Sequence, residues 1–190
     1  IKLIPRFYDV SAGRVLINGV DVRDMDIYKL RDRIGFVSQK ANLFSGTIEE
    51  NIRFGNRNAT MEEVVHAAKV AQAYDFIMEK PGQFQERIVE GAGNVSGGQK
   101  QRLSIARALV RHADIYIYDD SFSALDFRTD AKLRGELRKE MTDEIVLIVA
   151  QRVSTIMEAD QIIVLDEGRI VGKGTHKELL KTCSVYHEIA

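Results

Sequence analysis

Two short runs in this chain carry residue types able to handle a phosphate and a metal ion. In the first, Ile115-Tyr116-Ile117-Tyr118 leads straight into Asp119-Asp120. An apolar strand that ends in two carboxylates sets them at its carboxyl end, where open α/β sheets bind ligands. A carboxylate there suits Mg2+, a hard cation that takes oxygen ligands and keeps several waters. Taken alone, the run reads equally well as a strand entering an acidic turn. The second run is Asn94-Val95-Ser96-Gly97-Gly98-Gln99-Lys100-Gln101-Arg102. Two glycines at a helix start let backbone N–H groups approach an anion, with the positive helix end behind them. Ser-Gly-Gly by itself is also what a plain capped turn looks like.

The elements that must position these runs are legible from periodicity and turn chemistry. Gly13 to Ile17, Asn18-Gly19 and Val20 to Val22 read as a β-hairpin, since Asn-Gly takes the positive φ angles of a tight turn. Residues 34–38 read as a short buried strand ending at Gln39. Thr60 with Glu63 forms a capping box, and Val64, Ala67, Ala68, Ala71, Tyr74, Ile77 and Met78 follow as one helical apolar face. Ser96 with Gln99 caps a helix that buries Leu103, Ala106, Leu109 and Val110. Strands at 115–118, 145–149 and 161–165 alternate with helices at about 128–140 and 152–158. Gly168 turns the chain into Arg169-Ile170-Val171, and Thr175 with Glu178 caps a last helix. Strands alternating with helices, two of the strands almost wholly apolar, predict an α/β fold with a parallel sheet covered on both faces.

Taken together and in order, these runs resemble the ABC ATPase family. Val95 to Gln99 is similar to its signature motif, with Val where Leu is commoner. Asp119 matches the Walker B aspartate, Ser123-Ala124-Leu125-Asp126 the D-loop, and Ser38-Gln39 the Q-loop. Gln151 to Ile156 stands where the switch segment belongs. Phe44-Ser45-Gly46-Thr47-Ile48 and Glu50-Asn51-Ile52 look like the stretch that meets the transmembrane domain in exporters; the bland alternative is an amphipathic loop and helix start.

The resemblance implies a P-loop NTPase-like core with a helical subdomain and part of an antiparallel β subdomain. The whole of 1–190 would be one incomplete ATPase domain. Residues of about 40–110 would form the helical subdomain, and 1–39 with 111–190 the remainder of the core. It further implies ATP and Mg2+ as cofactors. Asp119 and Gln39 would hold the metal, and Asp120 and Gln151 would be the catalytic pair. Gln39, Ser96, Gly97, Gly98, Gln99 and Asp126 would bind nucleotide. In the family two motor domains pack head to tail, so the partners implied are a second ABC ATPase domain and a transmembrane domain, at the cytoplasmic face of a membrane.

Three departures matter. A P-loop needs Gly-x-x-x-x-Gly-Lys-Ser/Thr, so that backbone amides and a lysine cradle the phosphates. The one Gly-Lys pair, Gly172-Lys173, has Gly174 after it and Glu167 where the first glycine belongs. The chain opens mid-pattern at Ile1, and Ile1 to Tyr8 resembles the helix a P-loop feeds; this reads as a truncated start that binds ATP feebly. Asp120 replaces the usual Glu, one methylene shorter. Gln151 replaces the switch histidine, and its amide cannot titrate or shuttle a proton. Both changes fall in one composite site, which implies slow hydrolysis there. The intact signature would complete a competent site on a different partner subunit, making a heterodimeric exporter.

Bulk properties bound the alternatives. With 190 residues, 45% hydrophobic and 29% charged, the chain is the size of one ordinary domain. A net charge of −1 gives no general attraction to nucleic acid or acidic lipid. The apolar run Ile145 to Ala150 is far short of the roughly 20 residues a membrane helix takes, so no direct insertion is expected. The single Cys183 cannot make an internal disulfide and suits a reducing compartment. His66, His112, His176 and His187 lack metal-ligand spacing, the methionines read as core filler, and 134–140 as a solvated helix face. Two other readings stand beside the exporter: an importer ATPase subunit, and a non-catalytic interaction fragment. A DNA-repair ATPase would need a coiled-coil or zinc insertion between Gln39 and Ser96, and the interval holds neither heptads nor a CxxC pair.

Overall fold

In the computed structural model, which describes residues 1–89 and 91–190, the chain divides into two units, Ile1–Leu147 and Ile148–Ala190. The first opens with turns rather than the helix expected at Ile1 to Tyr8. Pro5 has no N–H to donate and Arg6 adopts a φ of 51°, so helical bonding stops there. The hairpin follows as β1 (Leu16–Ile17) and β2 (Val20–Asp21), antiparallel, with Asn18 and Gly19 at φ 51° and 80°. Next come α1 (Ile27–Asp32), capped by Asp26, and β3 (Ile34–Val37). Then β4 (Gly46–Thr47) runs into α2 (Ile48–Arg53), whose Thr47–Glu50 capping box satisfies two backbone donors reciprocally.

The long apolar face expected from Thr60 to Met78 is broken into α3 (Met61–Val70) and α4 (Tyr74–Met78). Gln72 takes a φ of 56° between them, and the Arg102 guanidinium donates to its carbonyl at 2.7 Å. That kink rotates the face, so Phe76 and Ile77 are buried while Met78 is exposed. Met61 and Met157 are exposed too, so only part of the methionine set fills core. β5 (Arg87–Ile88) pairs with β4. The signature run builds α5 (Gly97–Leu109), which buries Leu103, Ile105 and Ala106 completely.

β6 (Ile115–Asp119) pairs in parallel with β3, Phe36 opposite Ile117 and Val37 opposite Tyr118. α6 (Phe127–Glu140) leads to β7 (Ile145–Val149), and the sheet order is β3-β6-β7. The parallel sheet is therefore as expected. Its cover is uneven: β6 is buried along Ile115 to Tyr118 and β3 at Ile34 and Val37, whereas Ile145, Val146 and Val149 of β7 are exposed. On α6, Arg134 is less solvated than expected, lying against the buried Asp130 at 3.1 Å. One core cluster of the first unit joins Val22, Leu30, Ile34, Ile115 and Ile117.

The second unit holds α7 (Val153–Ile156), β8 (Ile162–Asp166), β9 (Arg169–Gly174), α8 (His176–Thr182) and α9 (Ser184–Ile189). β8 and β9 form an antiparallel hairpin turning through Glu167 and Gly168, at φ 45° and 76°. Ile162, Val164, Leu179, Cys183 and Tyr186 make its core, so Cys183 is a buried apolar filler. Gly172-Lys173 lies within β9, where a Cβ on Gly172 would fall 2.8 Å from the Cys183 sulfur. An extended strand packed against a helix cannot wrap a phosphate.

Candidate functional site

β3 and β6 are parallel neighbours, so both deliver their carboxyl ends to one edge of the sheet. β3 ends at Val37 and hands the chain to Ser38 and Gln39, while β6 ends at Asp119 and hands it to Asp120. The Gln39 amide donates to Asp120 Oδ2 at 2.9 Å, joining two predicted site residues that stand 81 positions apart. Asp120 is buried and sits at φ 49°, a left-handed turn that bends the chain off the strand end. Ser123 Oγ donates back to the Asp120 carbonyl at 2.8 Å, tying the run 123–126 to the same turn. Two residues not singled out from sequence hold this edge. Ser121, fully buried, donates to the Val37 carbonyl at 2.9 Å, and Gln101 donates to the Ser38 carbonyl at 3.1 Å. Polar residues beside an apolar strand and inside an apolar helix face were the available signal.

Asp119 points off the strand end with its side chain 17% exposed. Lys2 Nζ lies 3.8 Å from its carboxylate but is itself 55% exposed, and such loose surface pairs are worth about 0–1 kcal/mol. The carboxylate is thus reachable and not locked in a structural ion pair. Carboxylate and amide oxygens are the hard donors Mg2+ takes, so Asp119 and Gln39 fit that ion. Among the described residues no three of His, Cys, Asp and Glu converge on one point.

Ser96 and Gly97 are exposed at the start of the 13-residue α5, with Gly98 and Gln99 half-buried. The capping box is formed as expected: Gln99 N–H donates to Ser96 Oγ at 3.3 Å and Ser96 N–H to Gln99 Oε1 at 3.0 Å. A Cβ on Gly98 would meet the Ala124 carbonyl at 3.3 Å, so the glycine lets the signature turn and the D-loop lie close. Asp126 caps α6 through Thr129 N–H at 3.0 Å, and that bond holds its carboxyl below the usual carboxylate range. Gln151 is exposed in the second unit, just ahead of α7.

The segment 44–52 is organised around one cation. Arg107 donates to the Asn51 carbonyl and to Asn51 Oδ1, at 2.8 and 2.9 Å, and to the Asn42 carbonyl at 2.8 Å. Its guanidinium also lies 5.0 Å from the Phe44 ring centre and 5.8 Å from that of Phe54. Burial pushes the Arg107 pKa down to about 10, which still leaves it charged at neutral pH. Both phenylalanines remain half-exposed, so the patch presents two rings on a rigid mount. Three of the four histidines have structural partners: His66 meets Glu140, His112 meets Glu63, and His176 meets the Tyr186 hydroxyl.

The fold is an α/β domain whose parallel sheet gathers an acid pair and an amide at its strand ends. Comparison narrows it. The family model described as ABC transporter matches residues 1–123. An uncharacterized ABC transporter ATP-binding protein of Mycobacterium bovis is 46% identical over 193 residues, spanning 100% of this chain and 33% of its own length. The Bacillus subtilis protein named "Putative multidrug export ATP-binding/permease protein YgaD" is 44% identical over 189 residues, with the same coverage of 100% and 33%. A solved structure of a bacterial Atm1-family ABC exporter with ATP bound superposes at a TM-score of 0.96, with 39% identity, over 99% of this chain and 33% of that one. The chain belongs to the ABC transporter ATP-binding domain family, and its fold is that of such a domain in an exporter-type protein. It spans about a third of the length of the curated relatives it matches. Among the described residues no helix is long and apolar enough to cross a membrane.

Proposed function

We propose that this chain is most of the ATP-hydrolysing motor of an exporter, working at the cytoplasmic face of a membrane. A transmembrane domain docks on Phe44 to Ile52, and a second ATPase domain packs head to tail against it. The observation that carries the reading is the Gln39–Asp120 hydrogen bond, which joins the two strand ends into one polar edge beside the partly exposed Asp119 carboxylate.

Phosphoryl transfer leaves a protein little covalent work, so positioning and charge dominate. Bound Mg2+ would supply charge neutralisation on the phosphates. Asp119, through water, and Gln39 would hold it. Asp120 would orient the attacking water, and Gln151 would hydrogen-bond the terminal phosphate. Ser96, Gly97, Gly98 and Gln99 would offer their donors to nucleotide held by the opposite domain, and Asp126 would lie at the seam between the two. The helical subdomain is proposed at about 40–110, between the core segments 1–39 and 111–190.

Because Asp120 and Gln151 depart from the residues that hydrolyse fastest, the site they serve is proposed to bind ATP and turn it over slowly. The signature would complete a fast site on a different subunit, so the exporter is a heterodimer. The 190 residues alone are proposed to be inactive, since Gly172-Lys173 is a strand and not a phosphate loop. ATP turnover measured in three arms tests this: none for the isolated chain, slow for the full-length protein alone, brisk with its partner subunit. Brisk turnover by a pure homodimer would refute the asymmetry.

A further inference from the structure

The paired register of β3 and β6 ends with Val37 opposite Tyr118. Just past that point the chain turns at Asp120, a non-glycine residue at φ 49°. A side chain then takes over from the backbone: Ser121 Oγ donates to the Val37 carbonyl at 2.9 Å, across 84 positions of sequence. Val37 and Ser121 are both completely buried, so no water competes for that carbonyl. On the other side of the turn the Gln39 amide holds Asp120 Oδ2 at 2.9 Å. The backbone from Val37 to Gln39, these hydrogen bonds and the Asp120–Ser121 peptide close one ring around the turn.

We propose that Ser121 is a positioning residue for Asp120: its hydroxyl fixes the left-handed turn from which the carboxylate is aimed. The inference rests on the ATPase reading above, in which Asp120 orients the attacking water. The left-handed region crowds the Cβ of any L-residue, and such a backbone persists only where its surroundings over-determine it. Packing alone asks for no hydroxyl here. Alanine would fill nearly the same space, but the buried Val37 carbonyl would lose this partner and the turn would lose a tie to β3. Released, Asp120 can relax toward the ordinary negative φ, which swings the carboxylate off its line. Aspartate tolerates the left-handed region better than longer side chains do, so a glutamate at 120 leans harder on the same strut.

The test reads steady-state ATP turnover of the full-length protein without its partner subunit. Ser121→Ala is expected to lower kcat about 10-fold with KM changed by no more than about 2-fold, the pattern of a misaimed group rather than lost binding. An alanine protein that keeps its kcat would overturn the proposal. Ser121→Thr retains the hydroxyl and should stay within about 3-fold of the parent; should the added methyl prevent folding, Ser121→Cys, a weaker donor of similar size, should fall between serine and alanine. A threonine or cysteine protein as slow as alanine would count against the hydroxyl. Asp120→Glu should raise turnover several-fold with Ser121 present and lose most of that gain in Ser121→Ala, because the two act as a unit. Equal gains in both backgrounds would show Ser121 acting apart from Asp120 and overturn the assignment. If the unaltered protein hydrolyses no ATP, the ATPase reading fails, and amide hydrogen exchange at residues 119–122 decides the strut alone. Exchange several-fold faster in Ser121→Ala supports it, and unchanged exchange overturns it.

Discussion

Replacing Asp120 by glutamate and Gln151 by histidine together should raise ATP turnover at this site by about 10²-fold, the scale on which a misplacement of ~1 Å alters a rate. The structure gives the argument its footing. Asp120 stands on a left-handed turn with its backbone held by Ser123 and its Oδ2 engaged by Gln39. Its carboxylate thus has a fixed origin, and its reach is set by one methylene. Glutamate from the same origin extends further past the strand end, toward where an attacking water must be oriented. Histidine at 151 adds a ring nitrogen that can exchange a proton near neutral pH, which an amide cannot. The check is steady-state turnover of the full-length protein without its partner subunit, with each single and the double variant. An unchanged rate in the double variant would place the slow step elsewhere.

Gly55→Ala should be the most damaging small substitution in the chain. Gly55 follows Phe54, the C-cap of α2, and a Cβ there would lie 1.9 Å from the Arg107 carbonyl and 3.0 Å from Val110 Cγ1. The obstacle is helix backbone, which cannot swing away as a side chain can. Relief requires α2 to lift from α5, yet Ile48 and Ile52 are fully buried and Arg107 binds Asn51 through two bonds. Overpacking of this kind costs about 1–3 kcal/mol, and the backbone obstacle puts it at the upper end. For a domain of this size that is a fall in thermal midpoint of about 6–12 °C. Gly135→Ala is the control: it is helical, exposed, and has nothing within 4 Å of the added methyl. It should hold or raise the midpoint, since alanine is the better helix former by about 1 kcal/mol. A midpoint for Gly55→Ala within a degree of the parent would mean that α2 is not seated on α5 as described.

What could be read from sequence was local. The Thr60–Glu63, Ser96–Gln99 and Thr175–Glu178 boxes all cap helices as their spacing demands, and Asn18-Gly19 makes the tight turn. The Thr47–Glu50 box has the same signature and caps α2 in the same way. What failed was decided from a distance. The helix expected to run through Met78 breaks because Arg102, thirty residues on, holds the Gln72 carbonyl in a left-handed turn. β7 is as apolar as β6 yet largely exposed, since an apolar run does not say which of its side chains other elements will cover. At the site, Asp119, Asp120, Gln39 and the Ser96 turn were nameable from motif order. The struts Gln101 and Ser121 were not, because their partners are backbone carbonyls that no spacing rule points to.

The central claim is that the acid pair of this chain and its signature turn serve two different nucleotides. The direct measurement is ATP turnover of the full-length complex with its native partner, carrying either Ser96→Arg or Asp119→Asn in this subunit. Ser96→Arg should remove more than about 10-fold of the activity by spoiling the partner's fast site, as loss of transition-state charge stabilisation does. Asp119→Asn should leave turnover within about 2-fold, the slow site contributing little to the total. The opposite ranking, with Asp119→Asn silent complexes and active Ser96→Arg ones, would contradict the account.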